Sequence, residues 1–109
     1  MVMMVAMVAV ACVTHGAVVV AGGSMEPTLG IGDVCVYRRS SSVRPGQVVV
    51  FEREPDGGLV VHRAMTVGLR GEVRTKGDAN DAADRELLAP DRVRGPVVIA
   101  LPVGRVTRR

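Results

Sequence analysis

Lysine is almost missing from this chain: Lys76 is the only one, although lysine and arginine together number 14. Aromatic residues are as scarce, with Tyr37, Phe51 and no tryptophan. Two rings cannot build a platform on which successive bases stack, so the composition argues against a nucleic-acid partner. The arginines are spread from Arg38 to Arg109, and the net charge is only +3. Such a spread reads as a solvated surface, or next as one that meets anionic lipid. Cysteine offers no framework either. Cys12 lies in an apolar run and Cys35 in an expected strand, so both read as small hydrophobes rather than bridge partners. No Cys–His spacing or carboxylate cluster suggests a metal, and no organic cofactor is implied.

The length of 109 residues allows one domain at most. Its N-terminal part, Met1–Val13, is unbroken apolar sequence. A bilayer span takes roughly 20 apolar residues, so this run is short unless it continues through Ala17–Ala21, with His15 then inside the membrane. A secretory signal would carry positive charge at its start, and no Lys or Arg precedes Arg38. Residues 1–16 are therefore expected to form a short hydrophobic helix acting as a retained membrane anchor, whole or truncated at its start. A cleaved or lipidated segment and a buried helix are the alternatives.

From residue 17 to 109 the chain reads as one mainly β domain. The apolar stock is rich in valine, whose branched side chain packs well on a pleated surface. Strands are expected at Ala17–Ala21, Asp33–Arg38, Gln47–Arg53, Leu59–Val67, Glu72–Thr75 and Pro96–Leu101. Gln47–Arg53 is apolar enough to be buried on both faces. Glu54-Pro55-Asp56-Gly57-Gly58 is a turn that should pair it with the next strand as a hairpin. In Leu59–Val67 the two-residue period sets Val60, His62 and Ala64 on one face. Short strands with turn signals imply a β-sheet or a partly closed barrel.

Chemistry-bearing residues gather in separate strings. Gly22-Gly23-Ser24-Met25-Glu26-Pro27-Thr28-Leu29 follows the first strand, and its glycines allow a tight turn that leaves the serine hydroxyl unobstructed. By itself, such a serine is ordinarily a turn residue. His62 on an apolar strand is, by itself, ordinarily a hydrogen-bonded core residue. Asp78, Asp81 and Asp84, in the polar loop Lys76–Arg85, would ordinarily be solvated turn formers.

Taken together, these strings resemble the type I signal peptidases (peptidase family S26). GSMEPTL is similar to their nucleophile box, and Gly32-Asp33 to the Gly-Asp ahead of their next strand. Arg44–Phe51 is similar to the strand that follows, Val61-His62-Arg63 to the second box, and Thr75–Asn80 with Asp84-Arg85 to the third. The likeness covers residues 17 to about 104. Most bacterial members place a lysine base where this chain has His62. The subtype found in the endoplasmic reticulum, archaea and some Gram-positive bacteria places histidine there.

The resemblance implies a Ser24 nucleophile, a His62 base and an Asp84 carboxylate orienting that base, with Asp78 a second acidic position that acts more indirectly. A rival assignment makes Asp78 the partner of His62 and pairs Asp84 with Arg85 or Arg63. Lys76 is then structural, and His15 is excluded as the base. Chemically, serine is a weak nucleophile that needs an adjacent base, and imidazole titrates near neutrality. The family likeness further implies a membrane-bound endopeptidase on the extracytoplasmic side of the cell membrane, cutting signal peptides from exported preproteins after a small residue. Its partners would be those signal peptides, membrane lipid and accessory subunits of unknown identity. In two places the sequence departs from the pattern. Many members carry a serine two positions before the nucleophile, where this chain has Gly22; and some end in another membrane span, whereas this chain stops at Arg109. The alternatives are a non-catalytic membrane accessory or decayed homologue, and a self-cleaving repressor-type serine protease domain.

Overall fold

The computed structural model describes residues 13–53 and 57–104. Strands β1 (His15–Val19), β2 (Val34–Arg38), β3 (Val48–Glu52), β4 (Leu59–Val67), β5 (Val73–Lys76), β6 (Leu87–Leu88) and β7 (Val93–Leu101) follow in chain order, with a 3₁₀ turn at Pro90–Arg92. They hydrogen-bond in the order β1-β2-β7-β3-β4-β5-β6, antiparallel at every step. The sheet is open, with β1 and β6 at its edges, rather than a barrel closed by pairing. The expected N-terminal hydrophobic helix falls mostly on residues 1–12, outside the described residues. At its far end the sheet begins sooner than expected: β1 starts at His15, which pairs with Arg38. Among the described residues no helix is long and apolar enough to cross a membrane.

Each expected strand has a counterpart, and the hairpin is present. Glu52 pairs with Leu59, and Arg53 donates its N–H to the Gly58 carbonyl at 2.7 Å. Two features were not expected. The two-residue β6 is too short to show a period. β7 begins at Val93, three residues ahead of the expected start at Pro96, and so takes in Gly95 as well as Pro96. The strand tolerates both because it changes partners there: Val93–Pro96 pairs with β3, and Val97–Leu101 with β2, through shifted register. Gly95 is required at that crossing. Its φ is 153°, and a Cβ on it would lie 1.7 Å from the Arg38 carbonyl oxygen.

Two apolar clusters stabilise the sheet. Val20, Met25, Leu29, Cys35, Tyr37, Val50 and Val61 form one; Val43, Val49, Phe51, Ala64, Val73, Leu88 and Val93 form the other. β3 supplies both, sending Val50 to the first and Val49 and Phe51 to the second, as its unbroken apolar run predicts. Each fully buried valine contributes about 1.5–3 kcal/mol. Cys35 is a reduced, fully buried member of the first cluster. Burial, and next the charge of Asp33, push its thiol pKa up, so it behaves as a small hydrophobe.

Candidate active site

Residues 20–33 form a loop closed at its base. Val20 donates its N–H to the Asp33 carbonyl at 2.9 Å, and Gly32 donates to the Val20 carbonyl at 2.8 Å. Asp33 is 1% exposed and accepts from Gly30 N–H at 2.9 Å and Gly104 N–H at 3.1 Å, a reason for an aspartate in the Gly-Asp string. Inside the loop, Met25 and Leu29 bury their side chains in the first cluster, and Leu29 N–H bonds back to the Met25 carbonyl. These two anchors fix the turn from the inside. Ser24, next to Met25, is left half-exposed at the surface of the sheet.

His62 comes from the middle of β4, opposite Val49, and packs its ring edge-on against Phe51 at 5.9 Å. The Ser24 hydroxyl lies 3.0 Å from His62 Nε2. On the other side of the ring, His62 Nδ1 is 2.6 Å from Asp84 Oδ2. A carboxylate can only accept, so the Nδ1–H donates to Asp84, and Nε2 is left to accept from Ser24. The imidazole is buried, and the Asp84 side chain is 26% exposed. Asp84 returns to the sheet because its N–H donates to the Thr75 carbonyl at 2.8 Å, closing the loop from β5.

Asp78 takes another place. It accepts from Arg63 Nε at 2.9 Å and Nη2 at 2.8 Å, and from the Thr28 hydroxyl at 2.6 Å. The Arg63 hydrogen bonds hold its carboxyl below the usual range against the opposing effect of burial, with Thr28 adding to the lowering; Arg63 is raised in return. Arg63 thus pairs with Asp78 and not with Asp84. Because Arg63 alternates with His62 on β4 and Thr28 belongs to the Ser24 turn, Asp78 ties that turn to the strand bearing His62. The same loop reinforces the tie, since Ala79 N–H donates to the Ser24 carbonyl at 2.8 Å. Asp81 is exposed. Lys76 sits opposite Arg63 on the β4–β5 ladder, on the side away from His62, and its Nζ lies 3.4 Å from the Gly77 carbonyl. His15 is at the start of β1, bonded to Thr14.

Two contacts were not read from the sequence. The Thr28–Asp78 bond joins residues 50 apart, and neither residue carries a local sign of the other. Thr75, 0% exposed, donates its hydroxyl to Asp84 Oδ2 at 2.6 Å. In the sequence it is the first residue of the third matched string and a β-branched strand residue, with no sign of a bond to Asp84.

The site opens into a groove of about 450 Å³ whose walls include Val19–Gly22, Leu59–Val61, Phe51 and Leu88, with Arg53, Arg85 and Arg92 among its polar lining. Ser24, His62 and Asp84 lie along it. Among the described residues no group of three His, Cys, Asp or Glu could hold a metal ion. Arranged this way, the groups can pass a proton from a hydroxyl to an imidazole backed by a carboxylate, beside a mostly apolar cleft.

A family model described as "Signal peptidase, peptidase S26" matches residues 1–79. The signal peptidase complex catalytic subunit SEC11 of Colletotrichum graminicola is 35% identical over 104 residues, covering 83% of this chain and 60% of that protein. The subunit of the same name from Pyricularia oryzae is 36% identical over 104 residues, with the same coverage of 83% and 60%. The human signal peptidase complex catalytic subunit SEC11C is 40% identical over 76 residues, covering 64% of this chain and 40% of that protein. The chain thus spans about 40–60% of the length of these relatives.

Proposed function

Since the chain belongs to the signal peptidase family, peptidase S26, we propose that it is a serine endopeptidase that cleaves N-terminal signal peptides from exported preproteins. The observation that carries this reading is the unbroken series Ser24 Oγ to His62 Nε2 at 3.0 Å and His62 Nδ1 to Asp84 Oδ2 at 2.6 Å, set in an apolar groove. Ser24 attacks the scissile carbonyl while His62 takes its proton, and the imidazolium is stabilised by Asp84. His62 then protonates the leaving amine, and a water deprotonated by the same imidazole hydrolyses the acyl-enzyme. The oxyanion rests on backbone N–H groups, that of Ser24 first, because Gly22 supplies no hydroxyl. Asp78 serves the reaction indirectly, through the turn it ties down.

The family resemblance further points to cleavage after a small residue. The apolar run Met1–Val13 anchors residues 17–109 in membrane lipid at the extracytoplasmic face of the cell membrane, where the preprotein is also held. The relatives are named as catalytic subunits of a complex, which supports accessory subunits as further partners. The test is processing of a preprotein by the purified chain in detergent, with Ser24→Ala and His62→Ala alongside. Processing by the wild type and none by either variant is expected. Comparable processing by Ser24→Ala would refute the assignment, and binding without cleavage by the wild type would favour the non-catalytic alternative.

A further inference from the structure

We propose that Thr75 is a positioning residue of the site, its hydroxyl holding the Asp84 carboxylate in the orientation that His62 requires. The inference rests on the serine-protease reading above and adds a fourth side chain to it. Asp84 sits in a loop, and its side chain is 26% exposed. The hydrogen bond from His62 does not by itself stop such a carboxylate from turning toward water or toward neighbouring Arg85. Thr75 supplies the missing constraint. It is fully buried in β5 and paired with Ala64, two residues from His62 on the same face of β4. Its β-branched side chain is stiff about χ1, so the hydroxyl is held by the sheet.

The Thr75 hydroxyl donates to the same oxygen, Oδ2, that accepts from His62 Nδ1, each at 2.6 Å. Two fixed donors converging on one oxygen determine where the carboxylate points. The backbone repeats the constraint, with Asp84 N–H on the Thr75 carbonyl at 2.8 Å and Arg74 Nη1 on the Asp84 carbonyl at 3.0 Å. The main chain is thus held independently of the hydroxyl, and removing the hydroxyl alone should leave the fold in place.

The experiment is steady-state processing of a preprotein in detergent by the full chain carrying Thr75→Val, Thr75→Ser or Thr75→Ala, with Ser24→Ala and His62→Ala as controls. Thr75→Val keeps the shape and removes the donor. It should lower kcat by roughly 10- to 100-fold, the worth of a hydrogen bond to a charged group, with KM within about twofold. Thr75→Ser keeps the donor and should stay within about threefold of wild type. Equal kcat for Thr75→Val and wild type would overturn the proposal, and so would equal impairment of Thr75→Val and Thr75→Ser, which would assign the effect to packing. Should Thr75→Val fail to fold, Thr75→Ser and Thr75→Ala form the comparison, since both lose the methyl group and only one keeps the hydroxyl. A kcat ratio above about ten in favour of serine supports the proposal; a ratio near one overturns it. Failure of the underlying reading looks different: Ser24→Ala or His62→Ala would then retain processing.

Discussion

Replacing Asp84 with asparagine preserves the side chain's shape and removes its charge. In the proposed mechanism His62 becomes an imidazolium in the transition state, 2.6 Å from Asp84 Oδ2. Two unit charges at that distance and an effective dielectric of about 20 attract by about 6 kcal/mol. Water at the part-exposed Asp84 and incomplete proton transfer reduce this to about 5 kcal/mol, or about 10⁴-fold in rate. Serine proteases lose a similar factor, about 10⁴, when their buried aspartate is changed to asparagine. Asp78→Asn is the matched control. Its amide keeps one acceptor oxygen and turns an NH2 donor toward Arg63 or Thr28, which weakens the tie, but it touches neither His62 nor Ser24, so it should lower the rate by less than about tenfold. Both variants would be assayed as kcat on a preprotein in detergent, after a melting curve shows that they are folded. Asp84→Asn within tenfold of wild type, together with an inactive Asp78→Asn, would refute the assignment and make Asp78 the partner of the base.

Asp78 carries a prediction about stability as well. Its folded pKa is lowered, so its contribution is present above the unfolded carboxylate value of about 3.9 and is lost as pH falls through the folded value. With side chains 18% and 32% exposed, the Asp78–Arg63 pair is worth about 1 kcal/mol after allowing for solvent screening. The melting-temperature gap between wild type and Asp78→Asn should be open near pH 6 and close below about pH 4; a gap that is constant with pH would contradict this. In Gly77→Ala the new Cβ would lie 2.7 Å from the Ser24 carbonyl oxygen and 3.0 Å from Ser24 Cβ. The Ser24 turn must shift, and kcat should fall roughly 10- to 100-fold, whereas unchanged kcat would show that the loop yields instead. Gly22 has open space where a Cβ would stand, so Gly22→Ser should fold normally. Its hydroxyl should raise kcat by up to roughly tenfold as an added oxyanion donor, and a kcat at or below wild type would argue against an oxyanion position beside residue 22.

Much of the sheet was legible because it rests on local signals. Valine-rich runs separated by Gly, Pro and Ser set the strands, and the turn before Leu59 set the β3–β4 hairpin, since such patterns need only near neighbours. The sequence strings likewise singled out Ser24, His62, Asp78 and Asp84, and the period of β4 placed His62 on one face with Val60 and Ala64. What no local pattern carries, and only the family resemblance implied, is which of the two aspartates meets His62. Six positions apart in one polar loop, they differ only in where the closed loop delivers them. The Asp84–Thr75 backbone bond delivers Asp84 to the ring nitrogen of His62, and the Arg63 guanidinium on the alternate face of β4 captures Asp78. The partner change along β7, the two-residue β6 and the Thr75 hydroxyl are tertiary decisions of the same kind. Each depends on contacts between residues distant in the chain, whose partners exist only once the sheet has assembled.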